Sequence, residues 1–423
     1  MSLPRYPEYK DSGVEWLGEV PGHWDVVQLK QFVDIQNGTD HKHVEQPDGY
    51  PVLGSGGVFA YASDFLYDGE SVLLGRKGTI DKPLHVTGRF WTVDTMYWTK
   101  IRPSANGRFV YYAAITIPFD YYSTNTALPS MTKGALNSHP VARPPLAEQA
   151  HIAAFLDRET AKIDALVAEQ RRLMELLKEK RQAVISHAVT KGLNPDAPMK
   201  HSGIEWLGEV PAHWEVRRVK TVSSFTTSGP RGWSERVGED GSLFVQSGDL
   251  NATLGIEFSR CKRVGVGDDA EVARTKLQSG DVVVCITGAK TGNVAVAKDV
   301  PEDAYVNQHL CLVRPTKAIS AHFLGTLLKS NVGETYFDFS QYGLKQGLSL
   351  EDVREAPVPL PSHPEQVSIV GYLTALTSKF DTLTTEAQRA IDLLQQRRTA
   401  LISAAVTGQI DVTGLSLPNA SVQ

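Results

Sequence analysis

Two long segments of the chain carry apolar residues at alternating steps of four and three. Sustained over several heptads, with Glu, Lys, Arg and Gln outside the seam, this spacing is typical of a coiled coil. It predicts two long helices, at residues 146–192 and 361–410. The predicted seam residues are Ile152, Leu156, Ile163, Leu166, Leu173, Leu177 and Val184 in the first helix, and Ile369, Leu373, Leu376, Phe380, Leu383, Ala387, Ala390, Leu394 and Leu401 in the second.

Proline precedes each predicted helix, and Gly192 and Gly408 follow the two helices, as expected for helix boundaries. At a rise of about 1.5 Å per residue, a helix of about 40 residues is about 60 Å long. Each helix is preceded by its own globular region, so the simplest arrangement is an antiparallel pair. In that pair we expect Glu159 to lie close to Arg397. The alternative is that these long polar side chains extend out of the seam into solvent.

The chain is an internal duplication, which a search for repeats reveals directly. The segment Lys10–Lys30 recurs 190 residues later as Lys200–Lys220, and the segment Glu148–Thr190 recurs 217 residues later as Glu365–Thr407. Between these blocks, identity falls to scattered positions. The order is therefore conserved block, variable region and long helix, followed by the same three parts again.

The variable regions, residues 30–143 and 220–358, are rich in Gly, Thr, Val and aromatic residues, with short strand-like runs between turn signals. Each predicts a β-rich globule. The predicted fold is thus α+β: two β-rich globules separated by two long helices that form an antiparallel coiled coil, with pseudo-two-fold symmetry. The predicted domains are a first globular domain at 1–145, a first helix at 146–192, a second globular domain at 193–360, a second helix at 361–410, and a C-terminal tail at 411–423. The tail is either free or a docking segment.

Bulk properties narrow the class of protein. A length of 423 residues allows about two to four domains. The net charge of −5 gives no sign of a globally basic nucleic-acid binder, although a local basic face is still compatible with DNA binding. The three cysteines are far apart and lack metal-ligand spacing, which predicts reduced thiols. Without a signal peptide or a long apolar run, the chain is expected to be a soluble cytoplasmic protein.

Similar loops occur in the two variable regions. The segment Gly69–Thr79 resembles Gly280–Gly292, because in both a strand leads into a turn of small residues with Lys and Thr. The segment Ser130–Gly134 occupies the place that Gly347–Leu350 occupies in the second copy. Backbone N–H groups beside Lys or Arg suit contacts with phosphates and base edges. The candidate DNA contacts are Ser55, Arg76, Lys77, Lys133, Lys290, Thr291, Asn293, Lys345 and Gln346, with Gln246 and Ser247 as weaker candidates. The alternative for each is an exposed loop without a ligand.

Other motifs have mainly structural interpretations. His41 and His43 lack further metal ligands, so a solvated loop is favoured over a metal site. His23 and His213 each stand beside a Trp and are predicted to pack or cap. The tryptophan pairs, Trp16 with Trp24 and Trp206 with Trp214, are predicted to anchor each globule on the helices; a partner-binding face is the alternative. Phosphate-loop, dinucleotide, zinc-protease, nucleophile-elbow and nuclease motifs are absent, which predicts no catalysis by this chain alone.

The block SGVEWLGEVPGHW at 12–24, its second copy, and the PPLAEQ motif at 144–149 resemble the specificity subunit of type I restriction-modification systems. The resemblance covers nearly the whole chain. At 361–366 the second copy departs from the motif, reading PSHPEQ, but it retains Glu365 and Gln366.

The resemblance implies that each variable region is a target-recognition domain for one half of a split, asymmetric DNA site. It implies that the helices fix the gap between half-sites, and that methyltransferase subunits carrying S-adenosylmethionine dock on the helices. Restriction subunits that use ATP and magnesium would join through this core, and the chain itself would have no cofactor, metal or catalytic residue. The alternatives are a protein-binding scaffold and an enzyme with an unfamiliar site.

Overall fold

The computed structural model describes residues 3–122, 129–267, 270–341 and 347–415. The chain forms two compact units: unit 1 is Met1–Arg171 with Gln388–Gln423, and unit 2 is Arg172–Ala387. The boundary falls within both long helices, so each unit contains one end of each helix. In the described ranges, none of the helices is long and apolar enough to cross a membrane.

Unit 1 contains the first globular domain and the first part of the first long helix, which continues into unit 2; the end of the second long helix also belongs to unit 1. Its elements are β1 (Tyr9–Asp11), β2 (Glu19–Pro21), β3 (Asp25–Gln28), β4 (Val33–Asn37), β5 (Glu45–Gln46), β6 (Tyr50–Gly54), β7 (Gly57–Ala62), β8 (Tyr67–Asp68), β9 (Ser71–Gly75), β10 (Leu84–Val86), β11 (Arg89–Thr92), β12 (Met96–Ile101), α1 (Gly107–Ile115), α2 (Phe119–Tyr122), α3 (Lys133–Ser138), β13 (Pro140–Arg143) and α4 (Leu146–Lys191).

Unit 2 contains the second globular domain, and the second long helix returns from it to unit 1. Its elements are β14 (Met199–His201), β15 (Glu209–Pro211), β16 (Glu215–Arg218), α5 (Val219–Val222), β17 (Ser223–Ser228), β18 (Val237–Gly238), β19 (Ser242–Val245), β20 (Lys262–Val264), α6 (Ala270–Thr275), β21 (Val282–Cys285), β22 (Val294–Val296), β23 (Ala304–Val306), β24 (Leu310–Pro315), α7 (Ala321–Lys329), α8 (Asn331–Ser340), α9 (Leu350–Glu355), β25 (Pro357–Leu360) and α10 (His363–Val406).

The two globular domains share one sheet topology, although their variable regions barely match in sequence. The strand order β10-β9-β12-β4 of unit 1 corresponds to β22-β21-β24-β17 of unit 2. A second sheet, β5-β7-β6-β11-β8, corresponds to β18-β20-β19-β23, and each contains one parallel pair, β6 with β11 and β19 with β23. The predicted duplication and α+β class are therefore confirmed by the backbone.

The repeated sequence blocks form the same two small sheets in each unit. In unit 1, β1 pairs with β2 and β3 pairs with β13, the strand that leads into α4. In unit 2, β14 pairs with β15 and β16 pairs with β25, the strand that leads into α10. In each unit, the repeated block thus pairs with the strand that connects the globular domain to the long helix.

The long helices run antiparallel within each unit, as predicted. In unit 1, Ile152 and Leu156 share a hydrophobic core with Ile402 and Ala405, while farther along α4, Asp164 accepts a hydrogen bond of 3.0 Å from Arg398. In unit 2, Val189 shares a core with Ile369, and Arg181 forms an ion pair with Asp381. The second ion pair is the duplicate of the first, because Asp381 and Arg398 lie 217 residues after Asp164 and Arg181.

The predicted contact between Glu159 and Arg397 is wrong. Glu159 instead accepts hydrogen bonds from its helix neighbours Arg158 and Lys162, each at 2.9 Å, and Arg397 is exposed. The ion pair between Asp164 and Arg398 sets a register in which residues 159 and 397 do not face each other. The polar side chain at 397 leaves the seam, as the alternative interpretation proposed.

Part of the predicted seam also faces outward. Leu166, Leu173 and Leu383 are 42–45% exposed, whereas Val167, one residue after Leu166, is 8% exposed. Leu383 is the duplicate of Leu166, so the same deviation from the heptad pattern occurs in both copies. These leucines lie on a helix surface that the chain itself leaves uncovered.

The residues after α10 pack back onto unit 1. Tyr9 donates a hydrogen bond to the Gly408 carbonyl (2.9 Å), and the Asp411 N–H donates to the Pro4 carbonyl (2.8 Å). Val412 is buried in the unit 1 core with Tyr6. The start of the predicted tail, through residue 415, is therefore a packed segment; residues 416–423 lie outside the described ranges.

Candidate nucleic-acid interface

A glutamate at the start of each long helix holds the conserved block in place. In unit 1, Glu148 accepts hydrogen bonds from His23 and from the indole N–H of Trp24, both at 2.7 Å. In unit 2, Glu365 accepts from His213 (2.8 Å) and Trp214 (3.3 Å). Trp24 and Trp214 are at most 1% exposed. These two tryptophans are therefore the anchors that the sequence predicts, and the histidines bond to the same carboxylates.

The departure from the PPLAEQ motif in the second copy has a structural consequence. Ser362, which replaces a proline, donates to Glu365 from both its backbone N–H (3.1 Å) and its hydroxyl (2.8 Å). Desolvation by burial opposes ionisation of this carboxylate, but hydrogen bonds from His213, Ser362 and Trp214 lower the pKa of Glu365 to about 2. The carboxylate is thus a fixed anion at neutral pH.

The glutamine that follows each glutamate orients the globular domain. Gln149 accepts a hydrogen bond from the N–H of Asn106 (2.9 Å), the residue before α1, and donates to the Pro144 carbonyl (2.9 Å). Gln366 likewise accepts from the N–H of Ser320 (2.7 Å), the residue before α7, and donates to the Pro361 carbonyl (3.0 Å). Both glutamines are at most 1% exposed, so the Glu-Gln pair is a duplicated structural joint.

The other two tryptophans have a different environment. Trp16 is 40% exposed and stacks on His139, with ring centroids 5.0 Å apart. Burial lowers the pKa of His139 to about 4, so the imidazole is neutral at physiological pH. Trp206 lies against Tyr336 in unit 2. The first tryptophan of each predicted pair, Trp16 or Trp206, therefore packs on its globular domain.

In unit 1 the structure brings two of the predicted loops together. The N–H of Arg76 donates to the Thr95 carbonyl (2.9 Å), and the Arg76 carbonyl accepts from the N–H of Met131 (2.9 Å). Lys77 and Ser130 form an isolated antiparallel β-bridge. The turn after β9 thus lies beside the segment that leads into α3, where Lys133 is the first helical residue.

Unit 2 repeats this backbone arrangement with different side chains. The N–H of Ile286 donates to the His309 carbonyl (2.9 Å), and the Ile286 carbonyl accepts from the N–H of Leu348 (2.7 Å). Ile286 therefore occupies the place of Arg76, and Leu348 that of Met131. Of these two equivalences, the sequence segments predict that of Met131 with Leu348. Lys345 and Gln346, which precede this contact, lie outside the described residues.

The remaining candidate residues differ in the exposure and the hydrogen bonds of their side chains. Lys77 and Lys290 are exposed, and the Lys290 amine lies 3.4 Å from the Gly248 carbonyl, which places its turn beside the weaker candidates Gln246 and Ser247. Thr291 is half-buried and donates to the Gly288 carbonyl (2.7 Å). Ser55 lies in the turn between β6 and β7, on the other sheet of unit 1.

Asn293 has an internal role in the unit 2 loop. Its side chain donates to the Leu250 carbonyl (3.3 Å) and accepts from the amine of Lys329 (3.2 Å). Lys329 also donates to the Asn251 carbonyl (2.9 Å), and its pKa is lowered by desolvation on burial. These bonds tie the loop to the end of α7, so Asn293 positions the turn that carries Lys290.

Sequence inspection missed two features of these domains. Gly38 and Gly229 directly follow β4 and β17, and a side chain at either would lie 2.0 Å from a backbone oxygen, that of Val93 or Val306. The only signal is that a glycine recurs at the same place after both strands. The second feature is an exposed group on β7 beside Ser55, formed by Val58, Phe59 and Tyr61.

The His41 and His43 pair packs against aromatic rings, His41 on Phe59 and His43 on Trp91. Within the ranges that the structure describes, no group of three or more His, Cys, Asp or Glu side chains is placed to hold a metal ion. The histidine pair is therefore part of the packing of the second sheet in unit 1.

These features define a class of protein: two globular domains of one topology, each fixed at the start of a long helix and each presenting a differently composed loop. Residues 21–174 and 214–392 match the family described as the type I restriction modification DNA specificity domain. The chain belongs to this family, and the resemblance found in the sequence is confirmed.

Relatives and solved structures extend over nearly the whole chain. The specificity subunit of the type I restriction enzyme EcoBI from Escherichia coli is 24% identical, covering 95% of this chain and 90% of the relative. The EcoDI specificity subunit from the same species is 22% identical, covering 93% and 90%.

Two solved structures share the fold. One, from a study of complex assembly and conformational transition in a type I R-M system, has a TM-score of 0.67 at 17% identity and covers 92% of this chain and 98% of its own. The HsdS subunit from Thermoanaerobacter tengcongensis has a TM-score of 0.54 at 16% identity, with the same coverage.

Proposed function

We propose that this chain is the DNA-recognition subunit of a type I restriction-modification complex. It binds a bipartite, asymmetric DNA site and directs methyltransferase and restriction subunits to that site, while the catalytic residues belong to those partners. The observation that carries this proposal is the duplicated loop arrangement. One backbone geometry, made by the Arg76 and Met131 contact in unit 1 and by the Ile286 and Leu348 contact in unit 2, presents different side chains in each domain.

The difference between the two loops accounts for an asymmetric site. Base edges are distinguished by hydrogen bonds and apolar contacts from specific side chains, whereas phosphate contacts mainly set position. The loop of unit 1 carries adjacent cationic residues, Arg76 and Lys77, while the loop of unit 2 places Ile286 at the first position and a lysine four residues later. Each half-site is therefore recognised by its own domain, and the long helices act as the spacer between the half-sites.

Removing either exposed loop lysine is expected to weaken DNA binding by the assembled complex. Because each lysine is proposed to contact a phosphate, Lys77→Ala or Lys290→Ala should lower affinity and reduce the slope of log Kd against log salt concentration by about one. The measurement is fluorescence anisotropy with duplex DNA containing the site, at several salt concentrations. Lys379→Ala is the matched control, since Lys379 is exposed on α10. Unchanged affinity in both loop variants would show that these loops do not contact DNA.

The helix surface supports docking of the methyltransferase subunits. Leu166 and Leu383 are each 45% exposed, and Leu176 and Leu393 are 51% and 65% exposed. Within each pair the residues are 217 positions apart, the shift of the duplication. Unit 1 thus contains Leu166 and Leu393, and unit 2 contains their duplicates. Matching exposed apolar residues in two copies favour two equivalent docking sites for one kind of partner.

Polar substitution at one duplicated pair is expected to impair assembly. The variant with both Leu176→Ser and Leu393→Ser should bind methyltransferase subunits at least about tenfold more weakly, because fully burying a leucine side chain contributes about 1.5–3 kcal/mol. Co-purification and analytical ultracentrifugation measure the loss, and circular dichroism checks that the helices persist. Leu193→Ser is the control, because Leu193 is 42% exposed but follows α4. Normal assembly of the double variant would exclude this surface.

A further inference from the structure

The internal duplication allows one joint to be compared in two versions. In each unit a nine-residue helix, α1 or α7, packs beside a long helix, and the residue before it is held by the buried glutamine of that long helix. This shared contact fixes the equivalence of Asn106 with Ser320. Along the short helices, position 108 therefore corresponds to 322 and position 112 to 326.

In unit 1 large side chains fill this joint. The hydroxyl of Tyr112 donates a hydrogen bond to Asp157 on α4 (2.7 Å) and lies 3.2 Å from the hydroxyl of Thr160. Arg108 forms an ion pair with the same aspartate and packs over the Tyr112 ring. Tyr112 is 1% exposed, so its ring fills the space between α1 and α4.

In unit 2 the equivalent residues are smaller. His322 and Thr326 replace the arginine and the tyrosine, and Thr374 and Thr377 replace Asp157 and Thr160 on the long helix. All four line a cavity of about 390 Å³. A volume of this size falls in the range of small-ligand sites, which is about 300–1,000 Å³.

The walls of the cavity combine apolar and polar groups. Ile185, Leu254, Val370 and Leu373 supply an apolar surface suited to a flat ring. The polar part is formed by hydroxyl groups, Gln182 and His322, together with the charged side chains of Arg181, Lys329 and Glu334. Two of those charged groups already have partners, since Arg181 pairs with Asp381 and Lys329 donates to backbone carbonyls.

Three of the four threonines that line the cavity, those at 326, 374 and 377, define which hydrogen bond a ligand would make. Each donates its proton within its own helix: Thr326 to the His322 carbonyl (2.6 Å), Thr374 to the Val370 carbonyl (2.8 Å) and Thr377 to the Thr374 carbonyl (3.2 Å). A hydroxyl whose proton is used in this way still has lone pairs that accept. The cavity therefore offers acceptors, as Asp157 and Thr160 do to Tyr112 in unit 1.

We propose that the unit 2 cavity is a binding site for a small aromatic ligand that carries a hydrogen-bond donor, such as a phenol. The ring occupies the space that Tyr112 fills in unit 1, between the apolar residues of both helices. The ligand hydroxyl donates its single proton to Thr374 or Thr377, which occupy the positions of Asp157 and Thr160 in unit 1. A bound ligand joins α7 to α10 within unit 2, as the tyrosine joins α1 to α4 within unit 1.

The test uses p-cresol, which is the tyrosine side chain as a free molecule, and the full chain. Isothermal titration is expected to give saturable binding to one site, with a Kd of about 1 mM or below for a ligand of this size. The matched ligand 4-methylanisole has nearly the same shape but no donor, and it should bind about five- to tenfold more weakly. Equal binding of the two ligands would overturn the assigned hydrogen bond.

Substitutions of residues that line the unit 2 cavity test whether the ligand binds there. Thr326→Tyr restores the residue of unit 1 and should abolish p-cresol binding while keeping or raising the unfolding temperature. Thr377→Leu fills the cavity from the long helix and gives a second block that does not depend on the first variant folding. Thr374→Val keeps the volume but removes an acceptor, so it should weaken binding severalfold. Absence of saturable binding to the wild-type chain, or undiminished binding in a well-folded blocking variant, would refute the proposal.

Discussion

Replacing Trp24 or Trp214 by alanine is expected to lower the free energy of unfolding by about 3–5 kcal/mol. Each indole is at most 1% exposed, and each donates to the glutamate at the start of a long helix, Glu148 or Glu365. Truncation would leave a large cavity and remove a bond to a fixed carboxylate. Urea denaturation followed by circular dichroism at the helical wavelength measures the loss.

The matched control for this prediction is Trp16→Ala. Trp16 belongs to the same repeated block but is 40% exposed, so its truncation should cost less than half as much, since exposed side chains contribute less burial. Equal losses for Trp16→Ala and Trp24→Ala would contradict the assignment of Trp24 as the anchor.

Replacing Gln149 or Gln366 by leucine is expected to destabilise the protein by about 2–4 kcal/mol, because each buried backbone group left without a partner costs about 1–3 kcal/mol. Gln149 accepts a hydrogen bond from the Asn106 N–H and donates one to the Pro144 carbonyl. Gln366 likewise accepts from the Ser320 N–H and donates to the Pro361 carbonyl. The measurement is chemical denaturation of each variant.

Two companion variants separate lost hydrogen bonds from a change of shape. Gln149→Glu keeps the shape and the acceptor for the Asn106 N–H but loses the donor and buries a charge against the Pro144 carbonyl, so it should destabilise the protein at least as much as Gln149→Leu. Gln170→Leu, at a half-buried position of the same helix, should change stability by less than about 1 kcal/mol. A leucine at 149 that is as stable as the wild-type chain would show that the joint depends on packing alone.

The sequence predicted the long helices, their antiparallel pairing and the duplication, because heptad spacing and repeated blocks are local signals. The predicted register between the two long helices was wrong. An apolar stripe fixes which face of a helix is buried, but it leaves open which residues of the partner helix it meets, so Glu159 and Arg397 were paired wrongly. The ion pair of Asp164 with Arg398 depends on packing at the helix ends, which no local pattern encodes.

The prediction that the exposed leucines lie in the seam was also wrong, for a different reason. Leu166 and Leu383 fit the heptad rule, but they face outward in the chain alone. A hydrophobic position is the same signal whether the residue is covered by its own chain or by another subunit. Only the burial pattern distinguishes the two cases.

The candidate site was predicted in part. The echo between the two halves correctly predicted that Met131 and Leu348 are equivalent, because Ser130–Gly134 and Gly347–Leu350 occupy corresponding places in the two variable regions. The shared sheet topology could not be predicted, since it is maintained by backbone contacts such as those at Gly38 and Gly229 while the side chains differ. The DNA-contacting roles of Lys77 and Lys290 remain predictions.

The most direct test of the proposed function is methylation mapping of DNA from cells that express this chain with its cognate methyltransferase, compared with cells that lack only this chain. We expect a split motif of two unlike half-sites, methylated on adenine, which disappears when the chain is absent. Unchanged methylation, in cells where the complex still assembles when the chain is present, would contradict a role in DNA recognition and favour a scaffold.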